Sequence, residues 1–160
     1  MALPDAAAGT ARFLRPVTAE WVIFRCADRW FSVPLPRTRE ILFPQAYTRL
    51  PGCGRSVVGL TGLRGRAVTV LDFGAALGLA ASSDVPGHRL LVLEHGARQV
   101  ACVVEEVIAV ADGRLESLDE NDDVLERLDL EPADVLGIGD FGGERFLALN
   151  SDRIVRRLIA

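Results

Sequence analysis

Three groups of residues carry the atoms that chemistry would need. Asp119, Asn121 and Asp123 alternate like the first ligands of a calcium loop, residues 137–142 read Gly-Ile-Gly-Asp-Phe-Gly, and Ser56, His88 and His95 offer a nucleophile and bases. Each group fails on its context. A calcium loop needs glycine at its sixth position and a bidentate Glu at its twelfth, where this chain has Val124 and Leu130. A dinucleotide turn must open a helix, whereas GGERFLALN continues in a strand pattern. Ser56 lies in GRSVVG, without the spacing of a nucleophile elbow, and neither histidine has a second His or Cys at metal-ligand spacing. No catalytic, cofactor-binding or metal-binding residue is therefore assigned.

The remaining composition narrows the classes further. All 18 basic residues are Arg. With no lysine there is no Walker lysine, Schiff-base amine or lysine general base. Arginine instead supplies a permanent charge and a planar donor fork suited to ion pairs and interfaces. A net charge of −4 provides no broad positive field for a phosphate backbone, so nucleic acid is not an expected partner. Cys26, Cys53 and Cys102 are odd in number and widely spaced, which argues against a disulfide framework; Cys26 and Cys102 read as small core hydrophobes. The opening MALPDAAAGTARFL does not have the form of an export signal, and Glu105 and Glu106 interrupt the longest apolar stretch, so a cytoplasmic protein without direct membrane insertion is expected.

The elements that would position any site are mainly strands. Residues 1–18 read as a flexible leader, and 19–160 as the folded part. Trp21–Leu35 forms two aromatic and β-branched runs around Cys26-Ala27-Asp28, the signature of a hairpin, and residues 90–104 repeat that outline at an offset of 69. A second correspondence at an offset of 78 places Gly59, Gly65, Leu71 and Asp72 on Gly137, Gly143, Leu149 and Asn150. Asp72 and Asn150 each precede a helical stretch they could cap. The chain thus reads as an internal duplication, all-β with short helices, in two small barrels of about five strands. The first spans about 19–82 and the second about 88–150, with a terminal helix over about 150–158 and strand exchange between the barrels open. ASSDVPG, 81–87, is the junction.

Ten acidic residues against Arg114 and Arg127 mark the segment 112–134. With Val124, Leu125 and Leu128 at helical spacing, it reads as a loop and one amphipathic helix with a solvated acidic face.

One stretch carries more. Glu40-Ile41, Leu50-Pro51, Gly59, Leu63-Arg64-Gly65, Val70 and Asp72 appear in the order and spacing of the CheW family of chemosensory adaptors, which this chain resembles over about residues 20–155. VACVVEEV and VLGIGDFGGERFLALN are similar to that family's later segments. Gly62, Thr69 and Glu105 depart from its usual Asn, Pro and Asp. The resemblance implies two five-stranded SH3-like β-barrels and no catalysis. It implies a non-catalytic adaptor that couples the cytoplasmic tip of a chemoreceptor to the regulatory domain of a CheA-type histidine kinase, with other CheW-like domains as further partners. Such a protein is recruited to membrane receptor arrays through its partners. By the same resemblance Glu40 and Arg64 form an ion pair at the receptor surface, with Gly59, Leu63 and Gly65 shaping the adjoining turn. The competing reading is a small β-barrel that binds a ligand or nucleic acid; Trp21, Trp30 and Phe31 in strand patterns speak for a core instead of a stacking platform.

Overall fold

The computed structural model describes residues 19–118 and 123–159. The expected leader lies outside them, as do Asp119 and Asn121 of the calcium-like triplet.

Strands dominate, in two sheets. β1 (Ala19–Cys26) and β2 (Arg29–Pro34) form the first hairpin, followed by β3 (Thr38–Leu42), β4 (Thr48–Arg49), β5 (Val57–Leu63) and β6 (Arg66–Asp72). A short helix α1 (Phe73–Ala76) leads to β7 (Arg89–His95), β8 (Arg98–Val104) and β9 (Glu106–Gly113). β10 (Val135–Phe141), β11 (Glu144–Leu149) and the helix α2 (Ser151–Ile159) close the described chain. One sheet has the order β10-β11-β2-β1-β9 and the other β3-β7-β8-β6-β5-β4. The second therefore has six strands where five were expected, because the chain leaving β3 at one edge returns as the two-residue β4 at the other. Only residues 43–47 join those edges, a reach of about 18 Å at most, so the sheet must curl on itself. The five-stranded sheet does the same, since Glu116, just beyond β9, bridges Ile138 on β10.

The two sheets do not follow the two halves of the chain. The hairpin β1–β2 lies with β9, β10 and β11, whereas β7–β8 lies with β3 to β6. Each half has lent its hairpin to the other's sheet. The loan is sealed by two short parallel pairings, β11 on β2 and β6 on β8. Their registers are equivalent: Leu147 opposite Phe31 and Ala148 opposite Ser32 reproduce Thr69 opposite Val100 and Val70 opposite Ala101 at the offsets of 78 and 69. Even the irregularities repeat, with register shifts between Thr38 and Glu40 and between Val57 and Gly59 in one half, and between Val107 and Ala109 and between Val135 and Gly137 in the other. The turns agree too, Ala27 and Gly96 both having positive φ, of 54° and 61°.

Curled sheets packed together explain why several strands are apolar on both faces. Along β8, Val100, Cys102 and Val104 join a large shared core with Phe24, Phe31, Phe73, Leu91 and Leu149. Ala101 and Val103 between them face a smaller cluster with Val68, Val70 and Leu90 inside their own sheet. Trp21, Ile23, Phe146 and Ala148 fill the other sheet in the same way. The period of two is present, but both phases are buried. Phe24 centres the shared core, 6.0 Å from the ring of Phe31 and 5.7 Å from that of Phe73. Val103 and Val104 are wholly buried and act in packing.

Both expected caps form. The fully buried Asp72 accepts from the amides of Ala75 at 3.0 Å, Ser82 at 2.9 Å and Ser83 at 2.8 Å, so it starts α1 and fixes the chain leaving it. The Asn150 side chain accepts from the Arg153 amide at 3.3 Å to start α2. The amphipathic helix expected within 112–134 does not form among the described residues. Two separate 3-10 turns, Asp123–Leu125 and Pro132–Asp134, stand there, and Arg127 has left-handed φ of 68°. Leu128 is buried and Val124, Leu125 and Leu130 pack against the shared core, with the Asp129 amide donating to Leu77 O at 3.0 Å. The apolar residues that suggested a helical stripe are anchors of an irregular strap. Helical spacing over so few residues does not outweigh what tertiary packing offers each of them.

Candidate functional site

Glu40 and Arg64 come together across the surface of the six-stranded sheet. Glu40 lies on β3, an edge strand, and Arg64 in the two-residue turn between β5 and β6. The guanidinium meets the carboxylate with both forks, Nη2 donating to Oε1 at 2.6 Å and Nη1 to Oε2. The hydrogen bond from Arg64 holds the Glu40 carboxyl below its ordinary range, and the same bond raises Arg64. Arg64 remains 73% exposed while Glu40 is 22% exposed, so the arginine stands outward on a sunken acid.

Arg64 adopts this place at a conformational cost. Its φ is 50° and that of Gly65 is 79°. A left-handed conformation is natural for Gly65 but disfavoured for a residue with a Cβ. The equivalent turn in the other half consists of Gly142 and Gly143, at φ of 60° and 88°. Glu40 has Ala109 as its counterpart, paired to Ile23 as Glu40 is paired to Val92. The same local fold thus exists twice, once with the ion pair and once without it.

The other residues expected at this site divide. Leu63 and Gly65 adjoin Arg64; Leu63 is half-buried against the core inside its sheet, and Gly65 is exposed. Gly59 is buried at the far end of β5, away from the turn. A Cβ there would come within 2.1 Å of Thr48 O, so glycine is what lets β4 close the sheet. Its counterpart Gly137 faces Glu116 O in the same way, at 2.7 Å.

Around the pair lies an open recess of about 420 Å³ lined by Arg39, Glu40, Leu63, Arg64, Arg66 and Gln99. Arg39 is tied to Glu94 at 3.0 Å. Arg66 and the neighbouring Arg98 are exposed and, among the described residues, have no carboxylate within ion-pair distance. Arg66 and Arg98 are solvent-facing residues outside any motif, and neither periodicity nor spacing singles them out as contacts, whereas Arg39 opens the REIL stretch that carries the resemblance. The comparison of halves separates them, Arg66 falling on Glu144 and Arg98 on Arg29.

Glu105, which replaces the family's usual Asp, has a definite task. Its Oε2 accepts from the Ala27 amide at 2.8 Å and its Oε1 pairs with Arg25 at 3.2 Å, so it braces the turn of the hairpin β1–β2. The groups that resembled catalytic parts are dispersed. His95 Nδ1 lies 3.6 Å from Asp152 on α2, His88 Nδ1 is 2.9 Å from Val85 O, and Ser56 uses its backbone carbonyl to hold the Asp72 amide at 2.8 Å. Cys26 and Cys102 are buried; desolvation pushes the Cys26 thiol up to about 12 and Cys102 upward as well, so neither is a ready nucleophile.

The arrangement of two curled sheets with exchanged hairpins has a close counterpart. The crystal structure of the scaffolding protein TtCheW from Thermoanaerobacter tengcongensis superposes with a TM-score of 0.70 over 88% of this chain and 89% of its own, at 19% identity. In sequence, the chain is 33% identical over 87 residues to Protein PilI of Pseudomonas aeruginosa, covering 54% of this chain and 49% of that one. It is 32% identical over 88 residues to Chemotaxis protein CheW of Rhizobium meliloti, covering 55% of this chain and 57% of that one. The matched stretches thus span about half the length of these relatives. The profile of the CheW-like domain matches residues 20–158, nearly the whole of the described chain, and by that match the chain belongs to the CheW-like domain family.

Proposed function

We propose that this protein is a non-catalytic adaptor in a chemotaxis-type signalling pathway, joining the cytoplasmic tip of a chemoreceptor to the regulatory domain of a CheA-type histidine kinase. The observation that carries the reading is the Glu40–Arg64 pair on a turn that does not need it. Arg64 occupies a left-handed position that its counterpart fills with Gly142, and it presents its guanidinium outward from a carboxylate fixed on an edge strand. A surface pair of this kind adds little to folding. Placed at a contact with another protein, the same bidentate fork gives a fixed direction and a strong preference for a polar partner group.

Leu63 and Gly65 belong to the contact as the turn's floor and hinge, whereas Gly59, at the far end of β5, serves the sheet by admitting β4. Among the described residues no helix is long and apolar enough to cross a membrane, so attachment to a membrane array would run through partners. The names of the relatives, a scaffolding protein and chemotaxis proteins, agree with this reading.

The test is Arg64→Ala. Its thermal unfolding should coincide with that of the wild type, while retention of a chemoreceptor cytoplasmic fragment in a pulldown falls. Equal retention per folded molecule would remove Arg64 from the contact.

A further inference from the structure

The recess beside the ion pair has a charge that its fold does not require. Arg39, Arg64 and Arg66 line it with Glu40, and Arg98 lines the adjoining trough with Arg66, in a chain whose net charge is −4. In the other half the equivalent positions hold Ile108 for Arg39, Gly142 for Arg64 and Glu144 for Arg66, whereas Arg98 has an arginine, Arg29, as its counterpart. Gln99 and Leu63 are likewise replaced by Trp30 and Phe141, whose rings lie 6.5 Å apart. One half therefore sets an aromatic pair beside this corner, where the other has the ion pair and the guanidinium groups of Arg39 and Arg66.

Two of the four arginines are already engaged, Arg39 by Glu94 at 3.0 Å and Arg64 by Glu40. Arg66 and Arg98 are exposed and, among the described residues, free of carboxylate partners. They flank one continuous surface, both bordering the trough formed where β6 and β8 splay apart ahead of their first pairing at Thr69 and Val100. Free guanidinium forks held a few residues from a rigid bidentate pair suit planar carboxylates best.

We infer that this recess is a receiving site for carboxylate side chains of the receptor segment, with Arg66 as the principal contact, Arg98 extending it and the Glu40–Arg64 pair fixing its orientation. The inference rests on the adaptor reading and adds to it the chemistry of the partner: the receptor surface meeting this corner carries Asp or Glu. Attraction at an exposed site is screened over about 8 Å at physiological salt, so binding weakens as salt rises, and less steeply once Arg66 is neutral.

The experiment uses the full chain and an immobilised chemoreceptor cytoplasmic fragment, with thermal unfolding as a folding control. Arg66→Gln should weaken binding on the order of fivefold and Arg66→Glu further, without moving the melting curve. Replacing exposed carboxylates of the fragment one at a time by Arg should find a position that restores binding to Arg66→Glu. If Arg66→Glu binds like wild type while Arg64→Ala does not, the recess is not the receiving site and the adaptor reading stands. If the wild-type chain retains no fragment, both fall. If a short DNA duplex binds the chain with the same dependence on Arg66, the anion it takes is a phosphate and the assignment to a carboxylate partner is overturned.

Discussion

At the scale of single residues, the two halves of this protein act as controls for each other. Gly142 and Arg64 hold the same turn, and the glycine does so without backbone strain. Arg64→Gly should therefore melt at or above the wild-type temperature while losing receptor binding, a separation that calorimetry and pulldown on the same sample would detect. Gly59 should behave oppositely. Gly59→Ala drives a Cβ into Thr48 O and should cost about 1–3 kcal/mol in denaturant unfolding. The Arg64 pairing was legible in the sequence because it lies in a recognisable motif, and Leu63 and Gly65 came with it. Gly59 was legible as a needed glycine but not as to why, since the carbonyl it avoids arrives from a separate strand. Arg66 and Arg98 were not legible as contact residues, because a solvent-facing arginine leaves no trace in hydrophobic periodicity.

Asp134 couples the stability of the same molecule to pH on the acid side. Its wholly buried carboxylate receives Arg157 at 2.7 and 3.1 Å, Arg153 at 3.2 Å and the Glu131 amide at 2.9 Å. Desolvation alone would raise it, but these bonds together outweigh burial and hold it below its ordinary value of 3.8. Because the folded form binds this proton less readily than the unfolded one, the stabilisation is complete above the ordinary value and is lost as pH falls through the depressed one. Asp134→Asn should lower stability at neutral pH and flatten the loss below pH 4, as read from unfolding curves across an acid series.

Among the elements, the hairpins were readable because their pairing is local: alternation on both strands and a tight turn at Ala27 or Gly96 suffice. The helices after Asp72 and Asn150 were readable from their caps. The sheet that each hairpin joins was not, because it depends on parallel contacts as short as Leu147–Ala148 against Phe31–Ser32. Strands buried on both faces also carry little directional signal, as β8 does between two cores. The acidic segment misled for a related reason, its Val124, Leu125 and Leu128 being anchors in a shared core rather than one face of a helix. That core binds all these elements. Phe24→Ala, which empties its centre, should cost about 3–5 kcal/mol and abolish the single cooperative transition before any other replacement in β1 does.

For the whole molecule the exchange of hairpins has a direct test. Cleavage within Ala81–Gly87 divides the chain between the two copies of the repeat, yet each piece then holds a hairpin whose partners are on the other. Either piece alone should show no cooperative unfolding by circular dichroism. Mixed in equal amounts they should recover it and elute together at the size of the intact chain.

The same interlacing has a mechanical meaning. A load applied to the corner holding Arg64 enters β5 and β6, crosses the parallel ladder into β8, and through the β8–β9 link reaches β1 in the opposite sheet. The three pairings on that route are rows of backbone hydrogen bonds, the β8–β9 link at Glu105 is the covalent chain itself, and the reverse route is built alike. A displacement arriving at one end would be delivered to the other with little lost to bending between them, as through a solid link and not a hinge.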